Sequence, residues 1–123
     1  MNFAARLKQL PAATHLAALH LLDADGKAVA TIENKPGQAG SVAVYAALAA
    51  LYGGSITPAA SSLGLEWYAE HTADALAFPG KHPNIDRLLA WAQGTDTYRV
   101  LTIAAQKAGL GCDRVCSAAD LTD

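Results

Sequence analysis

Cysteine is scarce in this chain: two in 123 residues, Cys112 and Cys116, both near the C-terminus. A disulfide framework is therefore not what holds the fold. The spacing C-x-x-x-C is not the redox C-x-x-C, and two thiols make only half a zinc site. Both cysteines are expected to be free. Charge of one sign is also lacking: nine Lys and Arg stand against eleven Asp and Glu, a formal net charge of −2. The cations are scattered, so the basic footprint of a nucleic-acid binder is missing, and no basic amphipathic run suits a membrane surface. Long apolar runs are absent as well. "VAVYAALAALYGG" comes closest and is too short to cross a bilayer. The opening "MNFAARLKQLP" is broken by Arg6, Lys8 and Gln9, which does not fit a signal peptide. These absences point to a cytoplasmic protein with neither a nucleic-acid nor a membrane partner.

What the chain has is apolar bulk. Hydrophobic residues make up 52% and charged residues 16%, enough to bury a core within one domain, residues 1–123. Much of that bulk is alanine, which favours close helix approach. Residues 2–10 read as a short helix with Phe3, Leu7 and Leu10 on one stripe, capped by Asn2 and stopped by Pro11. Two apolar runs, 16–22 and 27–33, flank Asp25-Gly26, a hairpin turn signal. "NKPGQAGS" is a loop whose Ser41 caps the next helix, which ends at Gly53-Gly54. Thr57 and Pro58 start a third helix, with Gly64 a point of division. "PGKHP" breaks it, and Asn84 caps a fourth helix that stops at Gly94. Residues 97–103 form the last strand, Tyr98, Val100 and Thr102 facing one way, Leu101 and Ile103 the other. Both faces of this strand are expected to be covered. The tail, 104–123, is expected to pack loosely. A lone hairpin is marginal in water, so the late strand should join it. The expected fold is a small α+β two-layer domain: an antiparallel hairpin plus a late third strand, covered by about four helices.

Chemistry concentrates in "EHTADALAFPGKHPNID", residues 70–86. Glu70 and Asp74 are four apart and His71 and Asp74 three apart, so on a helix they share a sector, with Glu66 behind them and Trp67 and Phe78 at its borders. Lys81, His82, Asn84 and Asp86 follow the bend. If the two helices pack as a hairpin, His71 and Asp74 face His82 and Asp86. Two imidazoles and two carboxylates suit a transition metal, and a His beside a carboxylate suits acid–base work near neutral pH. The spacing matches no metal signature. The same residues also read as a solvated helix face, a turn and a cap. His71, Asp74, Lys81, His82 and Asn84 are thus the candidate ligand-binding set, and His71, Asp74, His82 and Asp86 the candidate metal or catalytic set. No particular cofactor is indicated.

A second candidate is "KPGQAGS". Free N–H groups at a helix start attract anions, with Lys35 close by, which makes Lys35, Gly37, Gly40 and Ser41 an anion-binding candidate. The glycine spacing is neither of the phosphate-loop signatures. His15 and His20, five apart, fall on opposite faces of a regular strand and do not pair. None of Ser41, Ser55, Ser61 and Ser62 lies in G-x-S-x-G.

"NKPGQAGSVAVYAALA", "GLEWYAEHTADA" and "PGKHPNIDRL" resemble segments of a family of small uncharacterised bacterial proteins, over roughly residues 2–103. The resemblance implies a bacterial, cytoplasmic protein and no catalytic residues. The resulting expectation is a module that binds a small molecule or a protein. The alternative is a small metal-dependent or acid–base enzyme at the junction. The alanine-rich second helix, with Tyr45 and Tyr52, is a candidate packing face for a homo-oligomer.

Overall fold

The structure, a computed structural model, describes residues 2–105. Helix α1, Phe3–Gln9, starts where Asn2 Oδ1 accepts the Ala5 N–H at 2.8 Å. Strands β1, Leu16–Leu22, and β2, Ala28–Glu33, form the expected hairpin. Its turn is built on Asp23, whose Oδ1 accepts the N–H groups of Asp25 and Lys27 at 2.9 Å each. Gly26 supplies the positive φ that the turn needs, +82°. Helix α2, Ala39–Leu51, leads to a two-residue strand β3, Ser55–Ile56. Helices α3, Pro58–Tyr68, α4, Glu70–Ala77, and α5, Pro83–Ala92, precede strand β4, Tyr98–Ala104.

The late strand does join the sheet, between β1 and β3, giving four antiparallel strands in the order β2-β1-β4-β3. Strand β3 carries too few residues to show alternation, so no periodic signal announced it. The core face carries Leu19, Leu21, Ile32 and Ile56, each 0–1% exposed. Helix α2 lies across this face and meets all four strands, with α3 packed on α2, and α5 on α3. This placement explains the alanines. Helix α2 is sandwiched, and Val42, Val44, Tyr45, Ala47, Leu48 and Ala49 around its circumference are all buried. Tyr45 is therefore a core residue and not part of a packing face for a second subunit.

Several boundaries differ from expectation. There are five helices among the described residues. Gly64 does not divide α3; it sits inside it, where a Cβ would lie 2.8 Å from Leu48 Cδ1 and 2.9 Å from Leu88 Cδ1. Glycine is there for contact, not for a break. The break falls at Ala69, a non-glycine residue with φ +52° and ψ −117°. Glu66 consequently belongs to α3, whereas Glu70, His71 and Asp74 belong to α4. Ser41 is not a cap either. The N-cap of α2 is Gln38, directly after Gly37, whose φ of +91° closes the turn. Likewise α5 is capped by His82 with Pro83 at its first position, so Asn84 is already inside the helix. Among the described residues only one face of β4 is covered: Leu101 and Ile103 are 48% and 37% exposed. Cys112, Cys116 and the tail from residue 106 lie outside the described residues.

Ser61 is fully buried in α3, and its Oγ has no partner among the described residues. A desolvated hydroxyl without a hydrogen bond is a net cost, and alanine is the better helix former. Ser61→Ala is expected to stabilise the fold by about 1 kcal/mol. The check is urea unfolding of both proteins; equal or lower stability of the variant would show that the hydroxyl finds a partner.

Candidate functional site at the α4–α5 junction

Residues 78–82 turn α4 back toward α5. Gly80 adopts φ +92°, its N–H donates to Asp86 Oδ2 at 2.9 Å, and the Lys81 N–H donates to the Phe78 carbonyl. The turn swings His82 onto α4. Its Nε2 lies 2.6 Å from Asp74 Oδ2, and Lys81 Nζ lies 3.0 Å from the same oxygen. The His71 ring stands 5.9 Å from the His82 ring, centroid to centroid. The stretch singled out in the sequence thus does bring His71, Asp74, Lys81 and His82 together.

Asp86 does not join them. Its carboxylate is spent on the Gly80 N–H, which fixes the turn instead of facing the imidazoles. Among the described residues no three His, Cys, Asp or Glu side chains converge as a metal site requires. The four-residue metal set is therefore not assembled.

An ionised carboxylate only accepts, so in the pair with Asp74 the His82 Nε2 carries the proton. Nδ1 then makes no hydrogen bond to the described residues and, in the neutral ring, is a bare acceptor. Asp74 is held below its ordinary carboxyl range, first by the His82 hydrogen bond and then by that from Lys81. The side chains of His82 and Asp74 are 25% and 33% exposed, so the pair is half-buried and open to solvent on one side. Glu70, at the start of α4, is also held low, chiefly because it accepts the Phe3 N–H at 2.9 Å. Both carboxylates add stability that is present above their ordinary values and is lost as pH falls through the depressed ones. His71 sits 3.9 Å from Glu70 Oε2, beyond a hydrogen bond, and takes the Phe3 ring edge-on at 5.1 Å.

Asn84 turns the other way, into a network that inspection of the sequence missed. Its carbonyl accepts the Tyr45 hydroxyl at 2.6 Å. Its side chain accepts from Arg87 Nη1 at 3.0 Å and donates to Gln38 Oε1 at 3.1 Å. Arg87 Nη1 also reaches the Tyr45 hydroxyl at 3.2 Å. Beside it Ser41 Oγ and the Tyr68 hydroxyl share a 2.6 Å bond, and Phe3 stacks on Tyr68 at 5.0 Å. Burial pushes the Tyr45 hydroxyl up to about 12 and raises Tyr68 in the same sense. The usable signal was one-sided: a buried tyrosine needs a partner for its hydroxyl, but nothing in the spacing says which.

The proposed anion cradle is dispersed. Lys35 Nζ pairs with Glu33 Oε1 at 3.0 Å on the surface, Ser41 is engaged by Tyr68, and a Cβ on Gly40 would lie 3.3 Å from Phe3 and Leu7. An open concavity of about 410 Å³ lies elsewhere, against the hairpin turn, lined by Leu22, Asp23, Gly26, Ser55 and Arg99 among others. Its Asp23 is already used to close the turn, and no imidazole reaches it. The junction is the stronger candidate because its groups are paired across two helices.

The fold and junction together define a two-layer α+β domain with a carboxylate-held histidine between two helices. The chain belongs to a family described as uncharacterized protein conserved in bacteria (DUF2322), whose model matches residues 3–102. That range takes in all the described helices and strands except the last two residues of β4. No curated protein and no solved structure matches the chain. Among the described residues no helix is long and apolar enough to cross a membrane.

Proposed function

We propose that this chain is a binding module that receives a small polar ligand at the α4–α5 junction, with His82 as its principal contact. The observation that carries the reading is the pairing of His82 Nε2 with Asp74 at 2.6 Å. That bond fixes the ring and leaves Nδ1 to accept from something outside the protein. His71 and Lys81 stand beside it as further polar contacts, and Phe3 and Phe78 supply apolar walls. Native mass spectrometry of gently purified protein tests the reading. The wild type is expected to carry a bound small molecule that His82→Ala loses. The variant should stay folded, because the pair is open to solvent on one side and such ion pairs add little stability. A variant that retains the bound mass would defeat the proposal.

The same pair favours one other reading. A carboxylate that orients an imidazole is also how a general base is held. Incubation with the identified ligand separates the two: a binding module returns it unchanged, whereas an acid–base enzyme converts it and Asp74→Asn abolishes that conversion.

A further inference from the structure

Among the described residues, three of the six large exposed hydrophobic residues, Val29, Leu101 and Ile103, lie on one surface. It is the face of the sheet that none of the described helices covers. The strand registers place its side chains in three rows. Glu33, Ala18 and Ile103 form one row, Thr31, His20 and Leu101 the middle one. Leu22 and Arg99 lie in the third, with Val29 beside them at the bulge in the β1–β2 register. Antiparallel sheets often face water on one side, but that side is then usually polar. Here most of the positions are apolar, and such a patch marks an interaction surface.

We propose that this face binds a second copy of the same chain, sheet against sheet. The argument is complementarity. Glu33 and Arg99 occupy opposite corners of the three-by-three array, and Ile103, His20 and Val29 lie along the other diagonal. A two-fold axis running along that diagonal exchanges the two corners. Each Glu33 then comes within side-chain reach of the partner's Arg99, and this happens twice. The same operation sets Leu101 over the partner's Ala18, a large residue over a small one, and Leu22 over the partner's Thr31. Ile103, His20 and Val29 meet their own copies on the axis. With strands about 4.8 Å apart and residues about 3.3 Å apart, the strands of the two sheets cross at roughly 70°, near the orthogonal class of sheet packing. Three strands of about six residues give roughly 300 Å² of projected face per protomer. Counting both protomers, that is roughly 600 Å², below the roughly 1,200 Å² at which standard specific interfaces begin, so the dimer is weak and transient and not obligate. Arg99 makes no salt bridge among the described residues, so the partner's carboxylate does not have to displace one there. Glu33 does release or share Lys35.

Sedimentation velocity of the full chain from about 5 to about 500 μM tests this, over a range that brackets a weak interface. The wild type is expected to shift from monomer to dimer across that range. Leu101→Lys, on an exposed position that leaves the core intact, should weaken dimerisation at least about tenfold. Glu33→Arg and Arg99→Glu should each weaken it, and the double variant should restore it. A wild type that stays monomeric at the highest concentration overturns the proposal. So does a dimer that survives Leu101→Lys, or a charge-swapped pair that fails to recover.

Discussion

Leu48→Ala is expected to cost about 3 kcal/mol, and adding Gly64→Ala is expected to return part of it. Leu48 and Leu88 are both fully buried, and their Cδ1 atoms stand 2.8 and 2.9 Å from where a side chain on Gly64 would begin. In the wild type, Gly64→Ala gains about 1 kcal/mol of helix preference but forces two immobilised leucines aside, at about 1–3 kcal/mol. The single variant should therefore be less stable by about 1 kcal/mol. Once Leu48 is truncated the crowding on that side disappears, Leu88 gains space to shift away from the new methyl, and the methyl fills part of the cavity. Gly64→Ala should then stabilise by about 1 kcal/mol. Urea denaturation of the four proteins gives the coupling energy, about 2 kcal/mol if α2 and α3 approach this closely. Additivity within about 0.5 kcal/mol would show that they do not.

On the alkaline side the stability should fall steeply above pH 10. Tyr45 is fully buried and its hydroxyl is raised from 10.0 to about 12, first by burial, with Arg87 acting in the opposite direction. Tyr68 is raised by burial and by its neighbour Tyr45, against the opposing pull of Ser41 and Arg87. The sign follows from linkage. Below pH 10 both states hold the phenol proton and the stability is intact. Between pH 10 and 12 the unfolded chain releases the Tyr45 proton while the folded chain retains it, so stability is lost through that window. Two pH units amount to about 3 kcal/mol for Tyr45 alone. Phenolate absorbance at 295 nm and far-ultraviolet circular dichroism, followed together, should show these tyrosines ionising as the helices melt. Tyr45→Phe should flatten the pH dependence. A Tyr45 that ionises near pH 10 with the fold intact would contradict its burial.

The sequence was most legible where one local rule decides. The hairpin was readable from two apolar runs around Asp25-Gly26, α1 from Asn2, α3 from Thr57-Pro58, and the meeting of His82 with Asp74 from a short Pro-Gly connection. It was least legible where two segments far apart decide together. Gly64 looks like a helix breaker until Leu48 and Leu88 are seen pressing on it, and only tertiary packing sustains the strained backbone at Ala69. Ser41 and Asn84 both have cap chemistry, yet each side chain is claimed by a residue remote in sequence, Tyr68 and Gln38. Asp86 was a plausible fourth ligand by spacing, and the Gly80 N–H claims it. The bare side of β4 was hidden because Leu101 and Ile103 look like core residues whether or not anything covers them.

The strand order has a consequence for how the molecule assembles. Its central pairing, β1 with β4, joins Leu22 to Arg99 and Leu16 to Ala104, the two ends of the described chain. The hairpin and the helices can form from neighbouring residues, but the sheet cannot close until nearly all of that chain is present. Loop-closure entropy for such distant partners must be overcome before their contacts reward it, which slows folding relative to a fold of local contacts. During synthesis the β1 edge that awaits β4 stays unpaired, next to a row of leucines. That interval, before residue 98 emerges, is when this chain is most exposed to sticking to another.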